Sequence, residues 1–219
     1  EGRIGDKPLS VSLVAMADDE EIEEIFGTWL NKEGEPAQKD ADNKAIGDGI
    51  AQYPNEDTYE GSMEAGLRSG EGKYVWKAGA VPGLKYEGAY KQNKKHGHGK
   101  VTTPEGGVYT GEFSEGARHG TGTFIYANGD WYKGGWENGK KHGKGSYYSK
   151  AGVCWYIGRW HEGEFVEGDW KWKDGGRYTG KFKANKPAKG PGTFSFANGT
   201  KQSGRWVQCG EKLLWQTAE

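Results

Sequence analysis

Residues 109–145, YTGEFSEGARHGTGTFIYANGDWYKGGWENGKKHGKG, state one pattern twice in succession. Each copy has an aromatic residue, a glycine two positions later, a second aromatic two further, another glycine three later, and then His-Gly-x-Gly. Tyr132 repeats Tyr109 at an offset of 23 residues. Self-similarity at such a period is the signature of a stacked-repeat protein.

One copy of the pattern reads as a β-hairpin. Tyr109, Gly111 and Phe113 alternate with polar residues, which is the period of a half-buried strand. A second run starts at Gly120, and the glycine-rich, charged residues 114–119 between the runs form the turn. The glycines leave room for rings from neighbouring strands. Since one hairpin is marginal in water, we expect the units to stack into a single folding unit.

The pattern extends over most of the chain. The anchor aromatics are Tyr59, Tyr86, Tyr109, Tyr132, Tyr156 and Tyr178, with Gln202 at this position in a seventh unit. The predicted fold is all-β: a single-layer, elongated, twisted antiparallel sheet of tandem hairpins over residues 47–207. The unit at Tyr156 is degenerate, because it lacks the His-Gly-x-Gly.

Three segments flank or precede the repeats. Residues 1–24 are predicted to be an acidic, poorly ordered N-terminal extension. Residues 25–46 are interpreted as a degenerate first hairpin with a polar insertion at its turn, and residues 208–219 as a C-terminal cap or tail. The first strand of this degenerate hairpin could instead be a helix. The helix would carry an apolar stripe formed by Ile22, Ile25, Phe26, Trp29 and Leu30. Gly27 would weaken such a helix, so the strand is favoured.

Composition narrows the class of protein. Hydrophobic content of 33% and a mean hydropathy of −0.94 resemble a disordered chain, but 10 Trp, 12 Tyr and 7 Phe supply an aromatic core instead. The formal net charge of −1 gives no reason to expect nucleic acid. Cys154 and Cys209 imply neither a zinc site nor a disulfide framework. The two cysteines fit a reducing, cytoplasmic location, and no apolar run is long enough to span a membrane.

No catalytic, metal or cofactor site is predicted. His96, His119 and His142 recur at one repeat position, but equivalent residues of adjacent hairpins lie about 9–10 Å apart, too far to share one metal ion. The many Gly-x-Gly pairs lack the spacing of a phosphate-binding loop. No nucleophile-base pair or pair of carboxylates stands out.

The chain resembles the MORN repeat family. The resemblance rests on YEG at residues 59–61 and 86–88, YTG at 109–111, and the Gly-x-x-His-Gly-x-Gly that follows. Residues 90–99, YKQNKKHGHG, and 182–206, FKANKPAKGPGTFSFANGTKQSGRW, look like the radial spoke head MORN subunits of motile cilia and flagella. This resemblance implies a non-catalytic scaffold subunit of the axonemal spoke head that supports motility. Its partners would be other radial spoke head proteins, and a homodimer is a further option.

Two sets of residues are candidate binding surfaces. A partner-binding groove on the aromatic face, which a single-layer sheet cannot fully bury, would use Trp76, Trp131, Trp136, Trp155, Trp160, Trp170 and Trp172. A basic edge at the hairpin tips would use Arg68, Lys95, Arg118 and Lys141. The basic edge is either a solvated rim or an electropositive ridge, and the ridge suggests an alternative function: a membrane-tethering module that binds phosphoinositides.

Overall fold

The computed structural model describes residues 28–209 and 211–218. The acidic extension predicted for residues 1–24 lies outside these residues. The strands are β1 Thr28–Leu30, β2 Gly47–Gln52, β3 Thr58–Glu64, β4 Leu67–Val75, β5 Lys85–Lys91, β6 Lys94–Thr102, β7 Val108–Ser114, β8 Ala117–Ile125, β9 Trp131–Glu137, β10 Lys140–Ser149, β11 Cys154–His161, β12 Glu164–Trp172, β13 Arg177–Lys183, β14 Lys186–Ser195, β15 Lys201–Cys209 and β16 Lys212–Thr217.

These strands form one open antiparallel sheet in which the spatial order is the sequence order, from β1 to β16. Every strand therefore pairs with its neighbours in sequence, and each pair of strands is one hairpin or one link between hairpins. The prediction of an all-β sheet of tandem hairpins is confirmed. Within the described residues, no helix is long and apolar enough to cross a membrane.

A continuous row of glycines crosses the sheet from β2 to β15. Each glycine pairs directly with the glycine of the next strand, as Gly111 does with Gly122 and Gly122 with Gly134. The row comprises Gly49, Gly61, Gly72, Gly88, Gly99, Gly111, Gly122, Gly134, Gly145, Gly158, Gly168, Gly180, Gly192 and Gly204. Because these residues have no Cβ, the row is a shallow channel along the sheet.

Anchor tyrosine rings fill this channel in five units, those of Tyr59, Tyr86, Tyr109, Tyr132 and Tyr178. A Cβ atom on Gly134 or Gly145 would lie within 2.7 Å of the Tyr132 hydroxyl oxygen, so the ring lies directly over both glycines. The Tyr132 hydroxyl donates a hydrogen bond to the backbone carbonyl of Gly135, 2.9 Å away, and Tyr109 makes the same bond to Glu112 at 3.0 Å. Tyr109 and Tyr132 are consequently fully buried in a single-layer sheet.

The first glycine of each His-Gly-x-Gly makes a β-bulge. Gly111 pairs with Gly122, but the next residue, Glu112, pairs with His119, so Gly120 and its successor are extra on β8. Gly120 has a φ of 60°, a left-handed backbone conformation that residues other than glycine adopt only at a cost in free energy. The motif is thus explained by backbone geometry.

A tryptophan takes the anchor role at each end of the row. Atoms of the Trp29 ring lie 2.6 Å from where a Cβ on Gly49 would be, and the Trp215 ring lies equally close to Gly204. Trp29 belongs to β1, a strand and not a helix, and residues 31–46 form turns with the bridges Leu30 to Pro36 and Lys39 to Ala45. Ile22, Ile25 and Phe26 of the helical alternative lie outside the described residues.

Candidate functional site

The aromatic face is a chain of rings packed edge to face. The Tyr132 ring lies between Trp136 of its own unit and Trp160 of the next, with both centroid distances 5.2 Å and interplanar angles of 88° and 77°. Tyr109 is held in the same way by Phe113 and Trp136. Such T-shaped pairs stabilise beyond the area they bury, by about 0.5–1.5 kcal/mol each. The rings therefore couple each unit to the next.

A buried aspartate, Asp130, holds the turn between two units against the next such turn. The Tyr147 hydroxyl donates a hydrogen bond to the Asp130 carboxylate at 2.5 Å, and the backbone N–H of Lys150 donates to its other oxygen at 2.7 Å. Burial first, and then the bond to Asp130, raise the pKa of Tyr147 above its usual value. Asp57 holds Tyr74 and Lys77 in the equivalent way. These contacts fix the turns structurally and expose no reactive group.

The basic edge predicted from the sequence is wrong in its position. Arg68, Lys95, Arg118 and Lys141 are all buried, and they lie among the rings of the aromatic face. The Arg118 guanidinium carbon lies 4.3 Å from the centre of the Trp136 ring. The Lys141 ammonium lies 4.4 Å from that of Trp160. Since each cation pairs in register with an aromatic or Met63, the strand geometry turns it inward.

Burial changes the acid strength of two of these cations. Desolvation and, to a smaller extent, the nearby charge of Arg118 together lower the pKa of Lys141 to about 8. The pKa of Arg118 falls to about 10 for the same first reason. The Arg118 guanidinium donates a hydrogen bond to the Gly139 carbonyl at 2.5 Å. The rings stabilise the charged forms through cation–π attraction, which offsets part of the desolvation cost.

The row of cations ends at β12, where Phe165 occupies the position of Lys141 and pairs with Trp160. From here on the aromatic face is more open. Its half-buried rings are Trp170, Trp172, Phe194, Trp206 and Trp215. Phe194 lies 4.9 Å from Trp215, and Trp206 lies 5.5 Å from Trp215. We call these five residues the C-terminal aromatic cluster.

The seven tryptophans predicted to line one groove do not share a face. Trp136 and Trp160 are buried, and Trp76, Trp170 and Trp172 are half-buried on the aromatic face. Trp131 and Trp155 lie on the opposite face, where both contact Tyr148. The single groove is therefore wrong as predicted. Alternation alone indicates this, because Trp131 and Trp155 each directly precede an anchor tyrosine.

Sequence reasoning missed Phe194, Trp206 and Trp215 as members of a candidate surface. The sequence contains one indication that Trp215 belongs to this surface, because it lies in an apolar tail immediately after the last repeat. Its ring position over Gly204 depends on the pairing of β15 with β16.

Chemistry-bearing groups are sparse on this fold. Across residues 28–209 and 211–218, no three His, Cys, Asp or Glu side chains are placed to hold a metal ion. His142 is 3.1 Å from the Glu137 carboxylate and contacts the ring of His161. A cavity of about 610 Å³ at the last hairpins has Arg205 as its one ionisable lining residue among the described residues. What the site offers is shape, aromatic area and fixed charge.

The comparisons with known proteins agree with this geometry. The model of the MORN repeat matches residues 59–81, 86–108, 109–131, 132–153 and 178–201, together more than half of the chain. The chain belongs to the MORN repeat family. The family suggests a repeat module that binds proteins or membranes. Residues 154–177, which contain β11 and β12 of this MORN protein, fall outside the matched segments and hold the unit without His-Gly-x-Gly.

Other comparisons add little. No curated protein matches this MORN chain. Among solved structures, the SAS-4 TCP domain of Drosophila melanogaster, in complex with a proline-rich motif of Ana2, is similar at 14% identity and a TM-score of 0.31, over 75% of this chain and 74% of that one. The TCP10 domain of Danio rerio CPAP is similar at 9% identity and a TM-score of 0.26, over 83% and 93%. With such low scores neither structure informs the function.

Proposed function

We propose that this MORN protein is a non-catalytic scaffold subunit of the axonemal radial spoke head in cilia and flagella. It docks other spoke head proteins and holds them at fixed spacing, and so supports motility. The observation that carries the scaffold role is the uninterrupted pairing of glycines from each strand to the next. The glycine row runs from β2 to β15 without a break, and such a sheet is a rigid spacer.

The C-terminal aromatic cluster is the docking surface of this scaffold. The anchor rings of Tyr109 and Tyr132 are fully buried, whereas the rings of the C-terminal aromatic cluster are only half-buried. Partly exposed Trp and Phe at the centre of a patch are what protein interfaces use as anchors. An apolar segment of a neighbouring subunit laid across β12 to β16 would complete the burial that the single layer leaves unfinished.

The assignment to the spoke head is supported by two stretches of sequence. Residues 90–99 and 182–206 resemble the spoke head MORN subunits, and they form the hairpin β5–β6 and the strands β13–β15. The second stretch supplies Phe194 and Trp206, so the segment that looks like a spoke head subunit is also part of the proposed docking surface.

Cross-linking mass spectrometry on detergent-washed cilia containing the tagged chain tests this function. Cross-links from β12–β16 to other spoke head subunits are expected, and they should survive the detergent wash. Recovery of the chain in the membrane fraction, with none in the washed axoneme, would overturn the proposal and favour the membrane-tethering function instead.

The membrane-tethering function needs cations that a lipid headgroup can reach. Arg118 and Lys141 are 8% and 7% exposed and lie against aromatic rings. Sedimentation with phosphoinositide vesicles gives a direct measurement. The scaffold proposal expects no vesicle binding that depends on Arg118 or Lys141.

A further inference from the structure

The face of the sheet opposite the aromatic core carries an apolar row that the fold does not use. Ile125, Trp131, Tyr148 and Trp155 occupy the adjacent strands β8 to β11 and pair in register, each directly opposite the next. We call these four residues the outer ladder.

The outer ladder is continuous and accessible. The Tyr148 ring lies 6.0 Å from Trp131 and 5.1 Å from Trp155, with interplanar angles of 30° and 38°. Ile125 is 52% exposed, and the three rings are half-buried. Ile157, two residues after Trp155 on the same strand, widens the patch. Three strand spacings make the ladder about 14 Å long.

The aromatic side chains of this row are local to β9, β10 and β11. The same register row continues through Val108, Thr102, Lys85 and Val75 on one side, and through Lys171, Arg177 and Ser195 on the other. Because the other strands place Lys, Arg, Thr, Ser or Val at this position, the fold does not require Trp or Tyr there. Exposed aromatic area rimmed by polar groups marks an interaction site.

The rim of the outer ladder is basic. Lys133 follows Trp131 by two residues on the same face, Lys150 lies in the turn that follows β10, and Lys171 pairs with Trp155. Among the described residues none of these three lysines makes an ion pair. Asp169 pairs in register with Ile157, and its carboxylate accepts a hydrogen bond from Thr179 and forms an ion pair with Arg177. The patch therefore presents apolar rings and unneutralised positive charge together.

We propose that the outer ladder, with Lys133, Lys150 and Lys171, is a docking surface for an acidic peptide segment of another protein in which apolar side chains stand between the acids. The apolar side chains pack on Trp131, Tyr148 and Trp155, and the carboxylates meet the lysine rim. The inference rests on the proposed scaffold function only in that the chain acts by binding proteins.

Two other occupants fit the charges less well. A second copy facing its own ladder would bring the same lysines together, and like charges in contact disfavour association. An anionic bilayer is flat and would also meet Glu112, Glu137 and Glu167, which lie on this face of the sheet. A narrow segment that follows the ladder avoids these carboxylates.

The test uses the full chain and a fluorescein-labelled synthetic peptide, Glu-Glu-Ile-Glu-Glu-Phe-Glu-Glu-Ile, titrated by fluorescence anisotropy. We expect binding that weakens as the ionic strength rises from about 0.05 to about 0.5 M. Two control peptides, one with Lys for every Glu and one with Ser for every apolar residue, should bind at least about tenfold more weakly.

Two double variants separate the rings from the rim. Trp131→Thr with Trp155→Thr, and Lys133→Glu with Lys171→Glu, are each expected to weaken peptide binding about tenfold or more. The matched control is Lys85→Glu with Lys201→Glu, which makes the same charge change in the same register row but away from the ladder. It should bind as the unmodified chain does. Melting temperatures report whether each variant is folded.

Three results would overturn the inference. They are the absence of peptide binding, equal binding by the serine peptide, and wild-type binding by both folded ladder variants. A dimer or binding to phosphatidylserine vesicles that these variants abolish would assign the ladder to a second copy or a membrane. Spoke head cross-links at β12–β16 that persist without peptide binding would overturn this inference alone and leave the scaffold function standing.

Discussion

The ammonium nitrogen of Lys141 lies 4.4 Å from the centre of the Trp160 ring, and both side chains are buried. Lys141 comes from β10 and Trp160 from β11, so the contact joins two consecutive units. The rings of Tyr147 and Tyr132 lie 5.1 and 5.7 Å from the same nitrogen. The aromatic rings stabilise the charged form of Lys141, whereas desolvation destabilises it. The balance between the two determines how the stability of the protein depends on pH.

Replacing Lys141 with Met should change how stability depends on pH. The folded pKa of Lys141 is about 8, and an unfolded lysine titrates near 10.4. Between these values the unfolded state holds more protons, so the stability of the unmodified chain rises as pH rises from about 8 to about 10. Lys141→Met removes this rise. At pH 7 it should be more stable by on the order of 1–3 kcal/mol, since cation–π attraction offsets part of the desolvation cost.

Urea unfolding at several pH values measures the effect of Lys141→Met. The matched control is Lys144→Met, an exposed lysine on the same strand, which should keep the pH profile of the unmodified chain. If Lys141→Met and the unmodified chain show parallel profiles between pH 7 and about 10, burial does not lower the pKa of Lys141.

Gly134→Ala should destabilise the sheet strongly. The added Cβ would lie 2.5 Å from the Gly145 Cα and 2.7 Å from the Tyr132 hydroxyl oxygen, so the strand or the anchor ring must move. A loss of about 3 kcal/mol or more in the free energy of unfolding is expected. Gly163→Asn is the control, because that turn glycine has open space around it and a left-handed φ that Asn tolerates. Comparable losses in the two variants would contradict the role of the glycine row.

Trp160→Ala and Trp155→Ala should differ in their effect on stability although both residues lie on β11. Trp160 is 2% exposed and donates an indole hydrogen bond to the Gly145 carbonyl at 3.2 Å, so its loss should cost about 3–5 kcal/mol. Trp155 is half-buried on the outer face and should cost under about 1.5 kcal/mol. Thermal melts of the two variants compare them directly. A larger loss for Trp155 would mean that the outer ladder is structural.

Asp130→Ala should loosen the contact between the β8–β9 turn and the turn that follows β10. The change leaves the buried Tyr147 hydroxyl and the Lys150 N–H without their acceptor, at a cost of about 2–4 kcal/mol. Hydrogen exchange of the Lys150 amide should accelerate along with the drop in stability. Asp174→Ala, at an exposed turn position, serves as the control and should stay within about 1 kcal/mol of the unmodified chain. Unchanged exchange at Lys150 would contradict the proposed fastening.

Much of the fold could be predicted because the pairing is local. The 23-residue offset and the alternation around Tyr109 fix one hairpin, and repeated hairpins that pair in sequence order leave few topologies open. The face of Trp131 was also predictable from its place beside Tyr132. The error was to group tryptophans by their chemistry when alternation already separated them.

The basic edge shows that the alternation of residues along a strand does not predict every buried side chain. Arg118 stands near a hairpin turn, where exposed lysines and arginines are common. Its burial depends on Trp136, which lies in the next unit and covers the guanidinium. A side chain that reaches across strands is placed by register and bulge together, and neither is visible in the spacing of charged residues.

The sequence by itself determined the hairpin unit, its period and the glycine positions, because each follows from backbone conformation within one unit. Tertiary structure alone decided which residues close the sheet and which stay open to partners. Trp29 and Trp215 cover the outermost glycines although neither belongs to a regular repeat, and Ile125, Trp131, Tyr148 and Trp155 align on the outer face. The physical reason is that these contacts join different strands, and their distances are set by the pairing register of the whole sheet.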